Sequence, residues 1–103
     1  MKKNFVSILI TNFNKSFFLK KTVKSCVSQG FKDKEILVFD DCSTDNSLKI
    51  LRNFRQIKLI KKNKKKFTSS PLNQIYGIIT LLKKSKGDII FLLDGDDQFK
   101  KEK

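Results

Sequence analysis

Four short apolar runs, each followed by more polar sequence, constrain the fold of this chain more than any other feature. They cover residues 5–10, 35–40, 57–60 and 88–94, and Ile, Leu, Val and Phe dominate them. Runs this short and this apolar are typical of strands that are buried on both faces of a sheet. The sequence therefore predicts four buried strands.

Helical patterns fill the three gaps between these strands. Apolar residues recur at helical spacing from residue 16 to about residue 28. The capping-rich sequence "CSTDNS" precedes a short helix that ends near Arg55, and Pro71 lies at the start of a third helix that reaches about Ser85. The order β-α-β-α-β-α-β predicts an α/β, Rossmann-like fold: a mostly parallel sheet with flanking helices on both faces.

The composition indicates a globular chain with a strong positive charge. The 103 residues are 39% apolar, which suits one domain or part of one. The 23 basic residues against 10 acidic ones give a net charge of +13, which favours nucleotides, nucleic acid or an acidic membrane surface as partners. Because nearly all of these cations are Lys, a coding bias toward AT-rich codons explains the charge equally well.

The cysteines and the hydropathy pattern indicate the cellular compartment in which the protein is expected. Cys26 and Cys42 cannot form a zinc site by themselves in a chain without His, so reduced, buried thiols are expected. No run approaches the ~20 apolar residues of a membrane span, and the polar Asn12 comes too early for a signal peptide. We expect a cytoplasmic protein, with the cytoplasmic face of a membrane as an open alternative.

Five of the ten acidic residues follow two of the predicted strands. Asp40 and Asp41 end the second strand, and Asp94, Asp96 and Asp97 end the fourth. In open α/β sheets the ligand crevice lies beyond the carboxyl ends of the strands, so both clusters are expected at one edge. Clustered carboxylates raise each other's pKa unless a cation or a hydrogen-bond donor compensates, and Mg²⁺ or Mn²⁺ with phosphate oxygens suits them.

A structural role for the acids competes with the metal hypothesis. Asp-Gly and Asp-Asp pairs are ordinary turn residues. Ser43 and Asp45 favour the start of the next helix over ligand binding. For either cluster alone, turn chemistry accounts for the acids as well as a ligand site does, but two clusters at one edge favour a site.

Two long segments resemble the amino-terminal half of a family 2 glycosyltransferase. They are "VSILITNFNKSFFLKKTVKSCVSQGFKDKEILVFDDCSTDNS" and "SKGDIIFLLDGDD", which together cover most of the chain. Enzymes of this family have the GT-A fold and transfer a sugar from a nucleotide sugar with inversion. The resemblance implies that residues 1–103 are the nucleotide-sugar-binding half of a catalytic domain, cut off after its DxD motif.

The resemblance also implies roles for the nucleobase side of the site. Thr11 and Phe13 match positions that line the nucleobase pocket, with the aromatic ring stacking on the base. Asp41 matches the acid that accepts a hydrogen bond from uracil or a similar base, and Asp40 supports the same pocket. A UDP-sugar is therefore the expected donor, whereas the acceptor stays open.

The DxD motif implies the phosphate and metal side. Asp94 is expected to face the ribose and phosphates, and Asp96 to bind Mn²⁺ or Mg²⁺, with Asp97 a weaker candidate. The family's general base comes from the half after this motif. No residue here matches it, so the chain by itself is expected to be an incomplete and inactive transferase.

The chain departs from the family pattern at two places. Thr11 stands where Pro is frequent. The usual Ala-Arg-Asn-type segment is replaced by "SSPLNQIYGIITLLKKSKGD", so Asn73 or a lysine from residues 61–66 is an unassigned substitute. Two other functions compete: a basic, non-catalytic nucleic-acid-binding protein, and a response-regulator-like domain. The acids at the ligand edge argue against the first, and the DxD form argues against the second.

Overall fold

A computed structural model describes residues 2–62, 64–97 and 99 of the chain. Strands and helices alternate without exception along this part, which confirms the predicted order. The seven elements are β1 (Lys2–Asn12), α1 (Ser16–Val27), β2 (Lys34–Asp41), α2 (Ser47–Arg52), β3 (Ile57–Lys62), α3 (Ser70–Lys84) and β4 (Gly87–Asp94).

The four strands form one parallel sheet in the order β3-β2-β1-β4. The first three strands proceed in one direction across the sheet, and β4 then pairs with the other side of β1. This reversal creates a crevice outside the carboxyl ends of β1 and β4, which is where open α/β sheets bind their ligands. The predicted fold class is therefore confirmed, and the location of the site at this edge stays a prediction.

Alternate residues of β1 and β2 enter two separate cores. Val6, Ile8 and Ile10 of β1 pack with buried residues of β2, α1 and α2 on one face of the sheet. Leu9 packs with residues of β2 and with Leu81 of α3 on the opposite face. Since successive strand residues point to opposite faces, neighbouring residues at the strand ends must also take different sides.

β4 departs from the expectation that helices cover both faces of every strand. The structure places it at an edge of the sheet, paired with β1. Helix α3 packs on β2 and β1 instead, so apolar side chains of β4 and of the outer side of α3 stay exposed. They are Leu72, Ile75, Ile79, Leu82, Ile89, Ile90 and Leu92.

Several element boundaries also differ from the sequence prediction. β1 extends to Asn12, α2 ends at Arg52, and β3 continues to Lys62, so Lys61 and Lys62 belong to a strand. The last strand begins at Gly87, one residue earlier than expected. A side chain at this position would collide with the backbone of β1, and this close approach explains the glycine.

Both cysteines are free, but only one of them is buried as expected. Cys26 lies in the core beneath α1, and burial raises the pKa of its thiol to about 11. Cys42 is half-buried in the loop after β2, with a left-handed backbone conformation. No helix in the described part of the chain combines the length and the apolar character that a membrane span requires.

Candidate functional site

A cavity of about 430 Å³ opens at the carboxyl edge of the sheet, where β1, β2 and β4 end. Its volume lies in the range of small-molecule binding sites. The lining comes from the loop after β1, the end of β2, the loop after β3, the start of α3 and the end of β4. The lining residues are Thr11, Asn12, Phe13, Asn14, Lys15, Phe39, Asp41, Lys65, Ser70, Asn73, Gln74 and Asp94.

Strand register brings the predicted residues of this cavity together. Thr11 pairs with Phe39 of β2 on one side and with Asp94 of β4 on the other. Asp41 follows two residues after Phe39 and therefore faces the same side of the sheet. Residues that are far apart in the sequence thus meet in one row, as the convergence of strand ends predicted.

Asp40 and Asp41 take different roles because they point to opposite faces of the sheet. Asp40 is fully buried outside the cavity lining. Its carboxylate accepts hydrogen bonds from Asn12 Nδ2 at 3.0 Å and from the backbone N–H and hydroxyl of Ser43 at 3.0 and 2.7 Å. Asp40 therefore holds the loops around the cavity in place, whereas Asp41 lines the cavity with a side chain that is 11% exposed.

Lys65 closes one side of the cavity. Its Nζ lies 3.2 Å from Asp41 Oδ2 and 3.3 Å from the centre of the Phe13 ring. Phe13 is 38% exposed, so part of its ring faces outward. The ammonium group thus contacts two of the side chains that were predicted to hold a nucleobase.

The loops after β1 and β2 are fastened to each other by side-chain hydrogen bonds. Asn14 has a left-handed backbone, which Asn tolerates better than most residues, and its Oδ1 accepts from the backbone N–H of Thr44 at 2.8 Å. Asp45 accepts from the backbone N–H groups of Ser16 and Ser47 at 3.0 and 2.9 Å. Asp45 therefore accepts from the first backbone N–H of both α1 and α2, although the N-cap positions themselves are Lys15 and Asn46.

The environment of Asp45 favours its charged form. Burial raises the pKa of this carboxyl, but hydrogen bonds from Ser47 and Ser16 outweigh that effect and hold the pKa below its ordinary value. Ser43 does not act as the helix cap that the sequence suggested. Its hydroxyl donates to Asp40 and accepts from the backbone N–H of Asn14 at 3.0 Å, and so joins the two loops.

The acidic turn after β4 presents its carboxylates in different directions. Asp94 lines the cavity, and its Oδ1 accepts from the backbone N–H of Gly95 at 2.7 Å. Asp97 Oδ2 accepts from the backbone N–H of Asp94 at 2.8 Å and so closes the turn. Asp96 is more exposed and pairs with Lys15, with Nζ and Oδ2 3.4 Å apart. Of the three acids, Asp94 belongs to the lining of the cavity, whereas Asp96 and Asp97 lie outside it.

Gly95 permits the acidic turn after β4 to lie against Asn12 at the end of β1. A Cβ at this position would collide with Oδ1 of Asn12. This oxygen is buried and has no hydrogen-bond partner among the described residues. Thr22 of α1 also fixes the turn, because its hydroxyl donates to the Gly95 carbonyl at 2.8 Å.

Of the two substitutes for the missing Ala-Arg-Asn-type segment, the lysine reaches the cavity with a charged group. Lys65 contacts Asp41 and Phe13 there. The Asn73 amide is used in two hydrogen bonds with the backbone of Phe67, at 2.9 and 2.8 Å, and so shapes the loop before α3. The position of Lys65 could not be identified from a run of five lysines with no internal pattern.

Comparison with known proteins agrees with the geometry. The family described as Glycosyl transferase family 2 matches residues 7–103. An uncharacterised glycosyltransferase of Haemophilus influenzae is 33% identical over 94% of this chain, and the chain covers 38% of that relative. Poly(ribitol-phosphate) beta-N-acetylglucosaminyltransferase TarP of Staphylococcus aureus is also 33% identical over 94% of this chain. The chain covers 29% of TarP. The chain therefore spans less than half the length of these relatives.

Solved structures share the fold. TarS of S. aureus superposes with a TM-score of 0.79 at 24% identity over 91% of this chain, which covers 28% of the TarS chain. The mannosyltransferase PcManGT from Pyrobaculum calidifontis gives a TM-score of 0.79 at 16% identity over 96% of this chain. The chain covers 29% of the PcManGT chain. The family match and the shared architecture lead to one conclusion: this chain belongs to glycosyl transferase family 2 and has the GT-A fold.

Proposed function

We propose that residues 1–103 form the donor-binding half of a glycosyltransferase catalytic domain. The donor is a UDP-sugar, and the sugar passes with inversion to an acceptor hydroxyl. The observation that carries this proposal is the cavity at the strand ends, which brings Phe13, Asp41 and Asp94 into one lining. TarS, a structural neighbour, was crystallised with UDP and with UDP-GlcNAc, which supports the choice of donor.

In this proposal the nucleobase binds between Phe13 and Asp41. The partly exposed ring of Phe13 offers a face for stacking. The Asp41 carboxylate accepts a hydrogen bond from an N–H of the base, and charge-assisted bonds of this kind are the stronger ones in proteins. Thr11 lines the floor between them, while Asp40 acts indirectly by holding the surrounding loops.

The residues of the DxD turn fit a hard divalent cation in their donor chemistry. Within the described residues, no three Asp, Glu, Cys or His side chains lie close enough to enclose a metal ion by themselves. Mg²⁺ and Mn²⁺ sites that also bind phosphates need only one or two protein carboxylates. Asp96, with Asp94, would hold the ion, which supplies positive charge against the departing diphosphate when bound. Lys15, the present partner of Asp96, then becomes available to the phosphates.

None of these side chains is assigned to deprotonate the acceptor. A positioned base is needed for efficient attack by a hydroxyl group. Asp41 and Asp94 are occupied with the donor in this proposal, and Asp40 is buried away from it. We place the general base in the part of the relatives' length that this chain does not span.

We place the protein in the cytoplasm, where its positive charge favours contact with an anionic membrane surface.

Calorimetric titration with UDP tests the donor and metal assignments together. We expect UDP to bind the chain at least about tenfold more tightly with Mn²⁺ than with EDTA. Asp96→Asn should remove most of this difference, because the amide carries no charge for the cation. Asp97→Asn is the matched control and should keep the metal dependence, because Asp97 serves to close the turn. A folded chain that binds no UDP with or without Mn²⁺ would contradict the proposal.

Replacing Lys65 with Met should strengthen UDP binding by about three- to tenfold, the range of one partly exposed ion pair plus one cation–π contact. The Lys65 ammonium group contacts both the Asp41 carboxylate and the Phe13 ring, and the nucleobase must displace it in order to bind there. Lys66→Met is the matched control, because its Nζ lies 5.2 Å from the Tyr76 ring and away from Asp41. Weaker binding by Lys65→Met would instead show that Lys65 contacts the donor.

A further inference from the structure

The first turns of α1 carry two exposed phenylalanines that the donor site does not use. Phe17 is 87% exposed and Phe18 is 47% exposed, and their rings contact each other at a centroid distance of 5.0 Å. Neither side chain belongs to the cores of the sheet or to the lining of the cavity. Large aromatic side chains this exposed are unusual on a surface that faces only water.

Exposed lysines surround this aromatic pair. Lys20, Lys21 and Lys24 lie three, four and seven positions after Phe17, so all four side chains share one side of the helix. We call Phe17, Phe18 and these three lysines the basic-aromatic face. All three lysines are exposed.

The layer that contains this face has no acidic side chain on its helices. α1 reads "SFFLKKTVKSCV" and α2 reads "SLKILR", and α2 packs beside α1 on the same side of the sheet. Lys49 and Arg52 of α2 are exposed as well and add to the positive charge. The acids nearest to α1 are engaged: Asp45 caps its start and Asp96 pairs with Lys15.

We propose that the basic-aromatic face binds the surface of an anionic lipid bilayer. Aromatic rings insert at the boundary between headgroups and acyl chains, and a surrounding set of lysines is attracted to anionic headgroups. A helix that combines both features on one side matches the chemistry of such a surface. This inference refines the proposed location and is independent of donor binding.

The basic-aromatic face lies close to the donor cavity, so membrane binding through this face bears on which acceptor the enzyme can reach. α1 begins directly after the loop that lines the cavity, and Thr22 of α1 contacts the DxD turn. A chain that rests on lipid through the start of α1 therefore keeps the mouth of the donor cavity close to the bilayer. Such a placement suits an acceptor hydroxyl that is attached to a membrane lipid.

Vesicle sedimentation tests the proposal without nucleotide or metal. The chain should bind phosphatidylcholine vesicles that contain phosphatidylglycerol and bind pure phosphatidylcholine weakly. Two variants should each weaken binding to the anionic vesicles by about tenfold or more. They are the double variant Phe17→Ser/Phe18→Ser and the triple variant Lys20→Gln/Lys21→Gln/Lys24→Gln. Added salt should weaken the wild type much more than the triple lysine variant, since salt screens surface charges.

Matched controls separate this face from the general charge of the chain. Lys83→Gln/Lys84→Gln/Lys86→Gln removes the same charge at the end of α3, and Leu72→Ser/Ile75→Ser removes exposed apolar groups from the opposite layer. Both controls should bind vesicles like the wild type. Equal losses in the controls, or equal binding to the neutral and anionic vesicles, would overturn the proposal.

A second copy of the chain is the competing occupant of this face. If sedimentation without lipid shows a dimer that Phe17→Ser/Phe18→Ser dissociates, the second copy covers the two rings and the proposal fails. Titration of the same variant with UDP should give wild-type affinity, because neither ring lines the cavity. Failure of vesicle binding is therefore distinguishable from failure of the donor assignment.

Discussion

Replacing Gly87 with Ala is expected to lower the free energy of unfolding by about 3 kcal/mol, at the upper end for an overpacked buried site. A Cβ on this residue would lie 2.6 Å from the Phe5 carbonyl oxygen, 2.6 Å from Ser7 Oγ and 2.8 Å from the Ser7 backbone nitrogen. Two of these atoms belong to the backbone of β1, an inner strand of the sheet, and cannot turn aside as a flexible side chain would. Urea denaturation followed by circular dichroism measures the effect.

The hydrogen bonds around Gly87 increase the cost of any shift. Its backbone N–H donates to the Ser7 hydroxyl at 2.9 Å, and that hydroxyl donates to Glu35 at 2.6 Å. Glu35 also accepts from the backbone N–H of Lys86 at 2.6 Å. A displacement of β4 that relieved the clash would therefore stretch bonds that join β1, β2 and β4.

Gly30→Ala is the matched control for this prediction. No atom lies within 4 Å of a Cβ at Gly30, and its backbone is outside the left-handed region. The change should leave stability unaltered or raise it by about 0.5 kcal/mol, because Ala restricts the unfolded chain. If Gly87→Ala unfolded at the same urea concentration as the wild type and Gly30→Ala, the predicted clash would be wrong.

The Asp41→Asn variant is expected to bind UDP about ten- to a hundredfold more weakly than the wild type, since hydrogen bonds to charged groups contribute about 1.5–3 kcal/mol. Asn preserves the shape of the side chain but removes its charge and one of its acceptor oxygens. The side chain is 11% exposed, so water compensates little for the lost interaction. Calorimetric titration with UDP in the presence of Mn²⁺ measures the change in affinity.

Asp33→Asn is the charge-matched control for Asp41→Asn. Asp33 is exposed and lies just before β2, at the opposite end of the strand from the cavity. It should bind UDP like the wild type, which separates a local contact from a change in net charge. Circular dichroism of both variants checks that the sheet is intact. Equal UDP affinity in a folded Asp41→Asn variant would contradict the assignment of Asp41 to the base.

The contrast between Asp40 and Asp41 shows how a strand end divides two identical residues between structure and binding. One carboxylate points into the layer of α1 and α2, where Asn12 and Ser43 saturate it. The other points toward α3 and the cavity. Adjacent acids in this position therefore need not share one pocket, and the pleat of the strand decides which of them can meet a ligand.

The order of the elements and the edge that carries the acids are determined by the sequence alone. Hydrophobic periodicity is a local property, so it located four strands and three helices within a few residues. The parallel order then required the strand ends, and with them Thr11, Asp41 and Asp94, to meet at one edge. Resemblance to the family added roles to these positions.

Only the tertiary structure decided the contacts that connect distant loops. Lys65 reaches Asp41 across 24 positions of sequence, and Lys15 reaches Asp96 across 81. Such pairs depend on strand register, on the side of the sheet that each helix covers and on the path of each loop. None of these leaves a periodic trace in the sequence. The exposure of Phe17 and Phe18 was equally hidden, because a helical pattern shows which side chains are apolar but not which of them a neighbouring layer will cover.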